Sequence, residues 1–270
     1  MRRLRPSSEA EMVALFLRTE LPAARFRDTL RALLDQAGLP ARVITDPNLD
    51  DPAENQARAQ ILTRHRGYDT RTELFEGVPR DVRWEWMAIT PAELATVRYI
   101  DYDYWVELSG GSRLAADAAP RIRAGVAPFG VSSDWALGLA QAVADGARFP
   151  PLILVTTGLP GDLVVLEGHT RLTAYMLCPD RLPPELEVLV GSSPGMATLA
   201  GLSRVGQGVQ DDADRWLAVA AAAADREDPA GHRVGGRHQP DPRRQPPGGQ
   251  PGHQGDARAH RDQAEQDLEV

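Results

Sequence analysis

The chain has 270 residues, 42% of them hydrophobic and 25% charged, with a formal net charge of −8. This is the composition of a globular protein with room for one large or two small domains, and its acidity argues against a general nucleic-acid binder. A single cysteine, Cys178, excludes an intramolecular disulfide framework and a cysteine-built zinc cluster. Every fixed side-chain cation is an arginine. No apolar run is long enough to span a bilayer, and no signal-peptide core follows the basic Met1–Arg5 start, so a cytoplasmic protein with no membrane partner is expected.

Two helical patterns open the chain. Ser7-Ser8 precedes Glu9 to Leu21, where Met12, Leu15, Phe16 and Thr19 recur at helical spacing. Pro22 suits a new first turn leading into Phe26, Leu30, Leu33 and Leu34, before Gly38 and Pro40 stop the helix. Two amphipathic helices of this kind pack on a domain or on a protein partner. Residues 52–66 have helix-forming composition with few apolar positions, the pattern of a surface helix, and Arg64-His65-Arg66 reads as its solvated basic end.

An aromatic-rich centre follows. Val82, Trp84, Trp86 and Ala88 alternate with Arg83, Glu85 and Met87, a strand signal, and Thr90-Pro91-Ala92-Glu93 has the residues of a helix-capping box. Tyr99 to Leu108 interleaves tyrosines and Trp105 with carboxylates, residues able to stack a ring or to lie half-buried. Ser109-Gly110-Gly111-Ser112-Arg113 reads as a small Gly/Ser turn, since it lacks the spacing of a Walker A loop.

Ser132-Ser133-Asp134 starts another helix, with Ala136, Leu139, Ala140 and Val143 on one face and Gly146 at its end. Leu152 to Thr157 reads as an interior strand, and Gly158 to Asp162 as a hairpin-like link to Leu163–Leu166. That second run breaks at Gly168 and resumes as a helix, and a last strand covers Leu186–Gly191. The order predicts a compact α+β fold: a helical amino-terminal region over 1–79 and a mixed-sheet domain over 80–204. Residues 205–270 are rich in Pro, Gly, Gln and charge, hold four of the six histidines, and predict a disordered tail with one helix at 212–225. The shift in composition is also what GC-rich coding sequence read out of frame would give.

Glu167-Gly168-His169-Thr170-Arg171 is the stretch with chemistry. A strand–turn–helix junction leaves backbone N–H groups unpaired at the helix start, a setting for phosphate. Gly168, His169, Thr170 and Arg171 would bind the anion, Arg171 through a bidentate contact. His169 and Glu167 are the candidate proton-handling, catalytic groups, and Glu167 the candidate magnesium ligand. A second arrangement stays open: Glu167 and Arg171 stand at helical spacing and would pair with each other, with His169 capping the helix.

Residues 139–177 resemble the ParB/sulfiredoxin-like nucleotide-binding domain. The matching features are a helix ending in Gly146, a Pro150-Pro151-led strand, and a second strand running into Glu167-Gly168 and a triplet ending in Arg171. Partition proteins of that superfamily carry Gly-Glu-Arg-Arg here, whereas this chain has His169 and Thr170 and no evident helix-turn-helix after them, so DNA is not an expected partner. Sulfiredoxins place a catalytic cysteine where His169 stands. The closest local motif is the Asp-Gly-His-Thr-Arg of free serine kinases, with Glu167 in place of Asp; the separate upstream glutamate of those enzymes is not assigned. The resemblance implies a nucleotide ligand (ATP, ADP or CTP, with Mg2+) and a nucleotide-dependent phosphotransferase or hydrolase. The alternative is a non-catalytic nucleotide-sensing or protein-interaction module that meets its partner through the amino-terminal helices.

Overall fold

The computed structural model describes residues 1–198. The 205–270 tail, its histidines and the helix expected at 212–225 lie outside the described residues. The fold is α+β, built on one mixed five-stranded sheet.

The chain opens with a strand, β1 (Arg2–Pro6), that the arginine-rich start did not suggest. It pairs antiparallel with β2 (Arg83–Ile89), and all five of its residues are exposed. Its arginines meet carboxylates, Arg2 with Glu185, Arg3 with Glu85 and Arg5 with Glu11. Charge on an edge strand is a common protection against stray pairing. Helices α1 (Glu9–Glu20) and α2 (Ala24–Ala37) follow as expected, with Ser8 accepting from the Glu11 N–H at the first helix start. A one-turn α3 (Arg42–Thr45) leads to α4 (Pro52–Arg66).

The expectation of a surface helix at 52–66 is corrected here. Arg58, Ile61 and Leu62 of α4 are buried, and Arg58 donates from inside the protein to the Val43 and Asn48 carbonyls at 3.0 and 2.9 Å. A buried guanidinium persists when most of its donors are met; these carbonyls, with the side chains of Glu54 and Asn55, take up both terminal nitrogens, while Nε has no partner.

After β2 comes the capped turn α5 (Pro91–Leu94), with both halves of the Thr90–Glu93 capping box formed. Then α6 (Asp103–Leu108) and α7 (Ala115–Arg123) follow, the latter with Pro120 inside it. The helix α8 (Asp134–Ala144) starts with Ser132 accepting from the Asp134 N–H, while Ser133 instead donates to the Val126 carbonyl. Strands β3 (Leu152–Thr156) and β4 (Val164–Glu167) form an antiparallel pair; α9 (His169–Leu177) then returns the chain to β5 (Leu186–Ser192), which runs parallel to β3.

The sheet order is β1-β2-β5-β3-β4, and its period-2 pattern divides the side chains between two layers. Trp84, Trp86, Ile153, Val155, Val164, Leu166 and Leu189 face α1, α2 and α4. Met87, Ile89, Leu152, Leu154, Val165, Val188 and Val190 face the layer that includes α7, α8 and α9. The amino-terminal helices therefore spend their apolar faces on the sheet of the same chain. Because both faces are covered, β3 reads as a continuous apolar run rather than an alternating one.

Candidate functional site

The turn between β4 and α9 follows directly from β4, an edge strand of the sheet. Gly168 has φ 107°, a left-handed conformation that side-chain-bearing residues rarely adopt. An added Cβ would run into Leu152 Cδ2 and lie 2.9 Å from the Arg171 guanidinium. Glycine is thus required twice, by backbone angle and by space.

Arg171 is 5% exposed. Its guanidinium donates to the Pro150 carbonyl at 2.5 Å, to the Pro151 carbonyl at 3.1 Å and to the Glu167 carboxylate at 2.8 Å. The Glu167–Arg171 pair that helical spacing allows is formed. Arg171 works as a strut between the β4–α9 turn and the bend before β3, with most of its donors already engaged. Burial pushes the Glu167 carboxyl above the ordinary range, against the opposing pull of Arg171 and of the Gly168 N–H.

His169 is half-buried and does not cap the helix through its ring. Its imidazole lies nearly parallel to Trp105, 5.2 Å between centroids and 19° between planes, and Tyr99 stacks beyond at 6.2 Å and 13°. The Tyr99 hydroxyl is fixed by Thr173 at 2.6 Å, and the Thr173 hydroxyl also donates to the His169 carbonyl at 2.8 Å. Nε2 of His169 is closed off from solvent and meets no hydrogen-bond partner. Burial first, then the charges of Arg171 and Arg66, push the imidazole down to about 3, so it is neutral at ordinary pH. Thr170 is exposed.

Residues remote in sequence complete the cluster. Glu20, at the end of α1, is 2% exposed; its carboxylate lies 2.7 Å from His65 Nε2 and accepts from both Nε and Nη2 of Arg66. Burial raises the affinity of Glu20 for a proton, but His65 and Arg66 outweigh that and hold the carboxyl below its usual value. The Arg64-His65-Arg66 run is therefore not a solvated helix end: His65 and Arg66 turn inward. Phe26 carries two guanidinia on its ring, Arg25 at 4.6 Å and Arg66 at 4.2 Å from the centroid. Glu20 and Arg66 act electrostatically on Glu167, and Arg66 on His169.

The sequence held a signal for these residues. Glu20 lies four positions after Phe16 on the apolar face of α1, and His65 four after Ile61 on that of α4; a carboxylate and an imidazole on buried faces require each other.

Among the described residues, no three His, Cys, Asp or Glu side chains come together as metal ligands. Glu167, the expected magnesium ligand, gives its carboxylate to Arg171 and to the Gly168 N–H, so the donor set does not fit a resident metal ion. No helix among the described residues is long and apolar enough to cross a membrane. A cavity of about 330 Å³ bounded by Ile122, Arg123, Ser133 and Leu137 shares no residue with this cluster.

Comparison with family models, with curated proteins and with solved structures found no match for this chain.

Proposed function

We propose that the chain binds a nucleotide or another phosphate-bearing ligand at the first turn of α9. The observation that carries this reading is the His169 Nε2, shut off from solvent without a partner, at the first turn of α9 beside the Glu167–Arg171 pair. A buried polar atom without a partner costs about 1–3 kcal/mol, and a ligand oxygen or hydroxyl would recover part of that. The start of α9 adds backbone N–H groups and the positive end of a helix dipole. The resemblance of residues 139–177 to the ParB/sulfiredoxin-like domain points the same way.

In this reading Gly168 lets the backbone turn, Arg171 fixes it, His169 offers Nε2, and exposed Thr170 rims the opening. Glu167, with its proton affinity raised, would accept a proton from a hydroxyl nucleophile as a phosphoryl group is transferred.

A thermal-shift panel of ATP, ADP, CTP and pyrophosphate, with and without magnesium, followed by a phosphate-release assay, tests the reading. Stabilisation with turnover marks a phosphotransferase or hydrolase. Stabilisation without turnover marks a nucleotide-sensing module. No stabilisation by any of them overturns the proposal.

A further inference from the structure

We infer that the cavity between the end of α7 and the start of α8 binds a small zwitterion with an apolar side chain, a free α-amino acid of the size of leucine. The cavity shares no residue with the β4–α9 turn, so this inference stands apart from the phosphate-binding reading.

Size and lining lead to it. The cavity measures about 330 Å³. Small-molecule sites run from ~300 to 1,000 Å³, and the lower end suits a small metabolite better than a nucleotide. Ile122, Val126 and Leu137 give the cavity an apolar wall. Leu137 is 42% exposed, so an apolar ligand group would remove from water a large side chain that the chain itself leaves there. The wall is held in place by the buried Ser133, whose hydroxyl donates to the Val126 carbonyl at 3.2 Å.

Two opposite charges bound the same space. Arg123 lines it, and its Nη2 donates to the Leu177 carbonyl, which fixes the guanidinium while leaving its other donors free. Asp134 lines it too, and its carboxylate accepts no hydrogen bond among the described residues. Arg123 and Asp134 form no ion pair with each other. Opposite charges held apart around one cavity are complementary to a carboxylate and an ammonium on one small molecule, each met by a charge-assisted hydrogen bond. The Ser132 hydroxyl accepts from the Asp134 N–H at 3.1 Å and keeps its own proton for the ligand carboxylate. An acid without the amine would face Asp134 unpaired, and an amine without the acid would face Arg123.

The test is calorimetric titration of the full chain with L-leucine at neutral pH. The comparison ligands are 4-methylpentanoate, which lacks the amine, 3-methylbutylamine, which lacks the carboxylate, and L-serine, which lacks the apolar group. Saturable binding of leucine is expected, with each comparison ligand weaker by about tenfold or more, the loss of one favourable contact. Arg123→Gln and Asp134→Asn should each weaken leucine by a similar factor, and the exposed control Arg31→Gln should leave it as it was. Asp134→Asn should not weaken 4-methylpentanoate, which has no ammonium to lose; this arm reads the pairing itself and relies on a solvent-exposed substitution, so it stands if Arg123→Gln fails to fold. No saturable binding of leucine, valine or phenylalanine would overturn the inference. So would 4-methylpentanoate binding as tightly as leucine, or leucine binding that Asp134→Asn leaves unchanged. Equal weakening by the Arg31 control would overturn it as well, as diffuse attraction. None of these results bears on nucleotide binding at α9.

Discussion

Replacing Arg171 by methionine tests how the β4–α9 turn is held. The change keeps the length and apolar bulk of the side chain but removes donors to the Pro150 and Pro151 carbonyls and the cation beside Glu167. Breaking a buried ion pair from one side costs about 3–5 kcal/mol, because the remaining charge is uncompensated. Two carbonyls without partners add about 1 kcal/mol each where water cannot reach them. Protonation of Glu167, already favoured by burial, limits the charge term: neutralising a carboxyl of ordinary affinity at pH 7 costs about 3 kcal/mol. The net expectation is a loss of about 4 kcal/mol in urea unfolding at pH 7. Glu167→Gln should cost about 1–2 kcal/mol, and the double variant should be about 2 kcal/mol less damaged than the sum of the singles. At pH 5 the Arg171→Met loss should shrink, since Glu167 takes up its proton more readily. A loss below about 1 kcal/mol, or strict additivity in the double variant, would refute the strut.

Three further outcomes follow from the same geometry. His169 has a folded-state value near 3 against an ordinary 6.5, so its contribution to stability is complete above pH 6.5 and is lost as pH falls toward 3. By linkage this amounts to about 2 kcal/mol by pH 5; Glu167, shifted upward, acts with the opposite sign, so the check is the difference between wild type and His169→Phe, which should lose that slope. Gly168→Ala should destabilise by about 3 kcal/mol in denaturant unfolding, from the left-handed backbone and the overlap with Leu152; a loss under 1 kcal/mol would mean that the turn relaxes freely. Thr173→Val should cost about 1–2 kcal/mol by leaving the buried Tyr99 hydroxyl unmet, and Tyr99→Phe in the same chain should recover most of it.

Much of the sheet and its order could be read from local signals. The alternation across Val82–Ala88, the Thr90–Glu93 cap, the apolar run at Leu152 and the break at Gly168 each act within a few residues, and each formed its element. Strand β1 escaped because an edge strand protected by arginines shows no apolar alternation. The helix α7 escaped because Pro120 and small alanines hide its periodicity, while α6 lies in a stretch whose aromatic residues suit several conformations. At the candidate site the turn residues were legible and their pairing was not. Helical spacing allowed Glu167 and Arg171 to meet, but the carbonyls of Pro150 and Pro151 that complete the guanidinium shell depend on where β3 begins. The inward turn of His65 and Arg66 onto Glu20 joins positions 45 and 46 residues apart, which no periodicity encodes.

The most direct measurement is the imidazole 15N NMR spectrum of His169 during titration with pyrophosphate, assigned by its loss in His169→Gln and with His65 as an internal reference. If the first turn of α9 binds the ligand, the Nε2 resonance of His169 shifts and saturates with the same affinity that calorimetry gives. Binding that leaves this resonance unmoved, or no binding at all, would contradict the site.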